Sequence, residues 1–222
     1  MEIVSDQQRL LTPVQKKGWE RESCHASLMA VLTEHCSLLT TALNRLPAQA
    51  DVLTEMALRL VQTLQDGHKV LVAGNGGSAA EAQHFAAELV GRFKRERAPY
   101  PVMALTTDTA ILTAVANDYG YQDVFARQVL AFGRPDDLLT VFSTSGESEN
   151  LIRAVQAGRG LGMFIATIVD ERQCRLARLA NLTIQTSALG TAAIQELHMV
   201  IIHLLCDIVE AHLAQSERQD CL

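Results

Sequence analysis

No basic block longer than Lys94-Arg95 occurs in this chain, and its net charge is −6. Binding to a nucleic-acid backbone draws on clustered Lys and Arg, so a dedicated surface of that kind is not expected. The opening residues, MEIVSDQQRLLT, lack a positive segment followed by an apolar one, which argues against a signal peptide. The five cysteines, Cys24, Cys36, Cys174, Cys206 and Cys221, are odd in number, scattered, and never spaced as CxxC. Reduced thiols in a cytoplasmic protein are the expectation. Even the apolar stretch from Leu197 to Leu213 is broken by His198, His203, Asp207, Glu210 and His212, so it is not read as a membrane span. Neither an internal repeat nor a low-complexity linker is present.

What is there reads as one globular domain. The 222 residues are 48% hydrophobic and 20% charged, enough to enclose a sizeable core. Residues 1–18 are polar and read as a tail, and residues 214–222 as a polar C-terminal tail. Between them, Trp19 to Leu46 has helical periodicity at Leu28, Val31, Leu32, Leu38, Leu39, Ala42 and Leu43. Pro47 breaks it, and Asp51 is the expected N-cap of a second helix reaching Leu64.

From Lys69 onward strands and helices alternate. Strands are expected at Val70–Ala73, Pro101–Leu105, Leu138–Phe142, Met163–Val169 and Leu182–Gln185. The intervening helices are expected at 79–90, 109–116, 124–132, 149–157 (closed by Gly158) and 172–179, with a last long helix at 191–213. Strands joined by helical crossovers imply a parallel sheet covered on both faces. The expected fold is therefore α/β, a three-layer sandwich with a five-stranded parallel sheet preceded by two N-terminal helices.

Two loops stand out at strand ends. The first, Gly74-Asn75-Gly76-Gly77-Ser78, joins a strand to a helix start, where glycines admit an anion and N–H groups point at it. Its Gly74-x-Gly76-x-x-Ala79 spacing also fits a dinucleotide fingerprint, but the acidic residue needed about 20 positions on falls in Arg92–Arg97, away from any strand end. No Gly-Lys-Ser/Thr follows either, which excludes a Walker A loop. The second loop, Ser143-Thr144-Ser145-Gly146-Glu147-Ser148, offers four hydroxyls in six residues. Serines often do no more than cap helices. Four hydroxyls, beyond the same sheet edge as a glycine loop, point instead to a bound sugar phosphate.

His84 and Glu88 stand four apart on one helix face, placed to share a metal or a proton, or merely half-buried and solvated. In the last helix Gln195, Glu196, His198 and His203 sit among apolar residues and need partners. Spacing favours Gln195 with His198, while about 12 Å of rise separates Gln195 from His203. Spacing alone leaves open which histidine works.

Together, AGNGGSAAEAQHFAAELVGRF, AVANDYG, FSTSGESEN and IQELHMVIIH resemble the sugar-isomerase (SIS) domain family, most closely its phosphoheptose isomerases, from about residue 26 to residue 213. The resemblance implies a flavodoxin-like parallel sheet flanked by helices, with a single SIS domain over 19–213, in a homotetramer whose active sites lie between subunits. It implies conversion of sedoheptulose 7-phosphate to D-glycero-D-manno-heptose 7-phosphate, the first step towards activated heptose. It further implies one zinc per subunit on His84, Glu88, Gln195 and His203, so it selects His203 over His198. Glu88 would be the base and His203 the acid. Substrate contacts carry over to Asn75, Gly76, Gly77, Ser78, Asn117, Asp118, Ser143, Thr144, Ser145 and Ser148, with Glu88 and Gln195. A non-catalytic cousin in the family binds the replication initiator DnaA, and it generally lacks counterparts of Glu88 and His203. A sugar-phosphate-sensing domain would need the two loops without either residue. The chain departs from the usual pattern at Ala193, where the family has arginine, and at Asp170-Glu171-Arg172-Gln173, where it often has a glycine-rich turn.

Overall fold

The computed structural model describes residues 20–170, 173–186 and 190–219, with side chains as far as Ala214. The expected tail, residues 1–18, lies outside the described residues, as do Trp19, Glu171 and Arg172. The chain divides into two units between Ser37 and Leu38. Helix α1 (Arg21–Leu43) supplies the described part of the first unit, where Leu28, Met29, Val31 and Leu32 are exposed.

In the second unit a 3-10 turn (Leu46–Gln49) leads into α2 (Ala50–Gln65), and then the alternation begins. Its order is β1 (Val70–Ala73), α3 (Gly77–Val90), β2 (Val102–Ala104), α4 (Thr109–Tyr119), α5 (Ala126–Phe132) and β3 (Leu138–Ser143). It continues with α6 (Glu149–Gly160), β4 (Phe164–Asp170), α7 (Arg175–Leu179), β5 (Leu182–Thr186) and α8 (Thr191–Gln219). All strand pairs are parallel, as the helical crossovers in the sequence lead one to expect, and the strands lie in the order β2-β1-β3-β4-β5.

The strands read as continuous apolar runs because both sheet faces are covered. Successive side chains point to opposite faces. Val70, Val72, Leu138 and Phe142 pack with Met56, Leu60, Phe85, Leu89, Ile201 and Leu205. Leu71, Ala73, Leu139 and Val141 pack with Val124, Phe125, Leu151, Ile152 and Val155 on the other side. By length and mean hydropathy α8 would fit a membrane span, yet half of that stretch is buried, and Leu197, Ile201, Leu205 and Val209 belong to the core.

Element boundaries differ from expectation in instructive ways. The 3-10 turn carrying Pro47 leads straight into α2, so Gln49 occupies the cap position and Asp51 falls in the first turn. Gly158 does not close α6. It lies inside the helix, where a Cβ would come within 2.9 Å of Ile165 Cδ1, so its role is close approach of helix to sheet. Helix α4 continues through Asn117-Asp118-Tyr119, expected as loop, and stops at Gly120. All but the first two residues of the expected 124–132 helix form α5, preceded by a 3-10 turn at Tyr121–Asp123. Helix α8 runs six residues past Leu213, through most of the expected polar tail.

The chain passes from β1 outward to β2, then returns to place β3 on the other side of β1. That reversal opens a crevice beyond the carboxyl ends of β1 and β3, where open α/β sheets bind ligands. Both singled-out loops leave the sheet there.

Candidate active site

After β1 the chain turns through Gly74 to Gly76 and enters α3 at Gly77. A Cβ on Gly74 would sit 2.2 Å from the carbonyl oxygen of Ser78, so only glycine allows the turn to close over the buried Ser78. Helix α3 begins two residues earlier than expected, which places Gly77 and Ser78 in its first turn. Gly76, at the cap position, offers no side chain to its N–H groups. By contrast, Asp108 caps α4 by accepting from Ile111 N at 2.9 Å. Ser78 N and Ala79 N already donate to the carbonyl oxygens of Asn75 and Gly76, each at 3.0 Å, so an external acceptor at the start of α3 would meet the amides of Gly76 and Gly77.

The serine loop divides its hydroxyls between two tasks. Ser143, the last residue of β3, accepts from Gly146 N at 3.0 Å, and Ser145 accepts from Glu147 N at 3.3 Å, so both shape the turn. Ser148 occupies the cap position of α6 without a side-chain capping bond, and Thr144 is half-buried between them. The two loops are tied together across the crevice. Asn75 Nδ2 donates to Asn150 Oδ1 at 2.8 Å, and Asn150 Nδ2 returns a bond to Asn75 Oδ1 at 2.9 Å. Tyr121 adds its hydroxyl to Asn75 Oδ1 at 3.0 Å. The Asn75 amide is therefore largely committed within the protein. Asn117 and Asp118, at the end of α4, are exposed and bond to each other, Asn117 Nδ2 donating to Asp118 Oδ1 at 2.8 Å. From this part of the chain it is Tyr121 that reaches the glycine loop.

Helices α3 and α8 pack side by side in three successive pairings. Gln195 lies against Gly77, where a Cβ would meet its Nε2 at 2.0 Å. One turn on, the buried His198 holds Glu81 Oε2 through Nδ1 at 3.0 Å, with Thr186 Oγ1 3.5 Å from its Nε2. One turn further, His84 Nε2 and His203 Nε2 stand 2.9 Å apart, and Glu88 Oε1 lies 3.4 Å from His84 Nε2. Phe93, on the loop after α3, stacks on the His203 ring, with centroids 5.4 Å apart and planes 21° apart. An open groove of about 410 Å³ runs along the first two pairings, lined by Gly77, Glu81, His84, Gln195, Glu196 and Met199 among others. A smaller cavity of about 220 Å³, lined by Arg45, Leu46 and Gln185, holds none of the expected site residues.

The structure therefore brings His84, Glu88 and His203 together within one protomer and places Gln195 two turns away, beside the cradle. Two imidazoles and a carboxylate are suitable zinc donors. Among the described residues, however, no group of three or more His, Cys, Asp or Glu side chains has the geometry to hold a metal ion. The 2.9 Å between the imidazole nitrogens is a hydrogen bond. Two zinc-bound nitrogens in a tetrahedral set stand roughly 3.3 Å apart. Cys206, three residues past His203, adds no donor: burial, with the Glu88 and Glu210 carboxylates, pushes its thiol far above the ordinary value and keeps it neutral.

Glu81, Asn150, Tyr121 and Phe93 escaped the sequence reading. Glu81 stood in plain view three residues before His84, but its partner is 117 residues away. Asn150 carried a faint signal as an amide just inside a helix after four hydroxyl residues.

Comparison with known proteins adds the family. The SIS domain profile matches residues 35–169. A phosphoheptose isomerase from Roseiflexus is 48% identical over 168 residues, covering 76% of this chain and 85% of its own. The solved phosphoheptose isomerase of Francisella tularensis superposes with a TM-score of 0.79 at 37% identity, covering 83% of this chain and 98% of that one. The corresponding structure from Neisseria gonorrhoeae gives 0.76 at 35%, covering 85% and 99%.

Proposed function

The chain belongs to the SIS domain family and is an isomerase of sugar phosphates; from that premise we propose that it converts sedoheptulose 7-phosphate to D-glycero-D-manno-heptose 7-phosphate. The observation that carries this reading is the cluster of His84, Glu88 and His203 along the same helix pair as the uncapped start of α3. One end of such a site suits a phosphate and the other suits proton transfer.

In this reading the phosphate sits on the first turn of α3, at Gly76, Gly77 and Ser78, and against Thr144 and Ser148. Ser143, Ser145 and Asn75 hold the two loops in shape. Ketose-to-aldose conversion removes a proton from carbon 1 and delivers one to carbon 2 through an enediol, while a proton moves from the oxygen on carbon 1 to that on carbon 2. Glu88 takes the carbon-bound proton, and His203 serves the oxygens as the acid. Phe93 on one side and His84 on the other fix the His203 ring. His84, Glu88 and His203 are the donor types a zinc would take, but their spacing and the distance of Gln195 do not fit one ion, so no step here is assigned to a metal.

The proposal extends to a homotetramer with active sites between subunits. Leu204 and Ile208, exposed beside His203, are apolar residues that such a boundary would cover. Free thiols at Cys24, Cys36, Cys174 and Cys206 suit a reducing cytoplasm. The test is turnover of sedoheptulose 7-phosphate, with metal analysis of the purified protein. Absence of turnover, together with tight binding of the replication initiator DnaA, would replace this reading with the non-catalytic one.

A further inference from the structure

Glu210 lies on α8 two turns beyond His203, and its side chain is fully buried. It takes no part in the chemistry above, yet its surroundings are elaborate. Its Oε1 accepts from Phe93 N at 2.9 Å, and its Oε2 accepts from Lys94 N at 2.7 Å and from Arg95 N at 2.9 Å. Three successive amides aimed at one carboxylate form an anion-binding nest. Arg97 Nε lies 3.3 Å from Oε1, and the Arg97 guanidinium rests over Tyr100 at 4.1 Å. The same guanidinium donates to the carbonyl oxygens of Glu88 and Gly91, both at 2.9 Å. Burial raises the Glu210 carboxyl, but the three amides and Arg97 more than offset it, leaving it below its ordinary value and charged.

Filling this space with an apolar side chain would cost less desolvation than a carboxylate does. What the carboxylate adds is geometry: it fixes the backbone of the loop that carries Phe93. The exposed ion pairs from Lys94 and Arg95 to Asp207 are more weakly held by comparison, since solvent screens them.

We propose that Glu210 is a positioning residue: by clamping the amides of Phe93, Lys94 and Arg95 it seats the Phe93 ring as a platform that sets the orientation of the His203 imidazole. The inference rests on the isomerase reading for its kinetic arm only. Four variants test it, Glu210→Gln, Phe93→Leu, Phe93→Tyr and the Glu210→Gln/Phe93→Leu double, in the full chain as purified. Glutamine keeps the volume but turns an NH₂ towards amide N–H groups, leucine keeps the bulk without a flat face, and tyrosine restores the face. Glu210→Gln and Phe93→Leu are expected to lower kcat about tenfold with KM within about twofold, because the ring acts in the reaction and not in phosphate binding. Phe93→Tyr restores kcat, and the double variant is no worse than the poorer single one. At fixed pH, the carbon-bound ring protons of His203 show an upfield ring-current displacement in the proton NMR spectrum of the wild type, lost in Phe93→Leu and reduced in Glu210→Gln.

Unchanged kcat in folded Phe93→Leu and Glu210→Gln, or unmoved His203 ring signals, would overturn the proposal. If Glu210→Gln does not fold, unchanged kcat and ring signals in Phe93→Leu overturn it alone. Should the wild type turn over no sugar 7-phosphate, the isomerase reading falls and the ring signals decide the clamp by themselves.

Discussion

Around Asn75 the site is made of two turns that leave adjacent strands, while around His84 it is made of side chains from two helices whose facing residues are 119 positions apart. The cradle depends on local backbone geometry and on one amide bridge, Asn75 with Asn150. The helix pairings depend on packing, since nothing but the seating of α8 on α3 brings His203 to His84. A phosphate site can therefore survive changes that abolish proton transfer, and the two can be separated experimentally.

The largest expected effect falls on the helix side. Glu88→Gln should lower kcat by about a thousandfold, within the range a positioned base supplies. Affinity for the sugar phosphate should stay within a few fold, and circular dichroism and oligomeric state should be unchanged. Full activity in this variant would refute the assignment of the base.

Next come the two histidines, one turn apart and opposite in character. His203 is exposed and His198 is buried with Glu81. His203→Asn should abolish turnover with little change in melting temperature. His198→Asn should leave Glu81 without its partner and cost about 3 kcal/mol of stability, read by urea denaturation, with kcat of the folded fraction reduced less. The reverse pattern would show that His198 is the working residue.

On the cradle side, Asn150→Ala removes the bridge between the loops. It should raise KM about tenfold while kcat changes by less than about threefold, a loss on the scale of one or two hydrogen bonds. Equal losses in KM and kcat would mean that the two regions are not separable. The smallest effect is in acid. The Glu210 carboxyl has an ordinary value of 4.5 and a lowered one when folded. Its stabilisation is therefore present above about pH 4.5 and lost as pH falls through the folded value. Melting temperature should drop along that limb in the wild type and more shallowly in Glu210→Gln.

The same division governs how much was legible in the sequence. Five strands, their order of appearance and the glycine loop follow from local composition, and the structure has them within a residue or two. The misplaced helix ends, at Gly158 and at Asn117-Asp118, arose because a glycine or a polar run reads as a stop unless its packing is known. Gly158 is small because Ile165 lies against it, a fact held by the tertiary structure. In the site, His84 and Glu88 were visible as a pair, but the choice between His198 and His203 was not available from spacing. His198 is turned towards Glu81 and Thr186, and His203 towards His84, because α3 lies beside α8. The family resemblance selected His203; the packing commits His198 to Glu81 and leaves His203 beside His84.

One consequence of that packing concerns charge. Because Gly77 faces Gln195 and His84 faces His203, α3 and α8 run in the same direction and their starting ends lie together. The Asn75–Asn150 bridge brings the start of α6 to the same crevice. Each helix carries the equivalent of roughly half a positive charge at its N-terminus. Dipoles side by side and aligned raise one another's energy, and that energy falls when an anion arrives at their common end. On the proposed reading, a chain of net charge −6 would thus attract a phosphate to loops that contain neither lysine nor arginine. The field belongs to the backbone, so no long side chain has to be immobilised when the ligand binds.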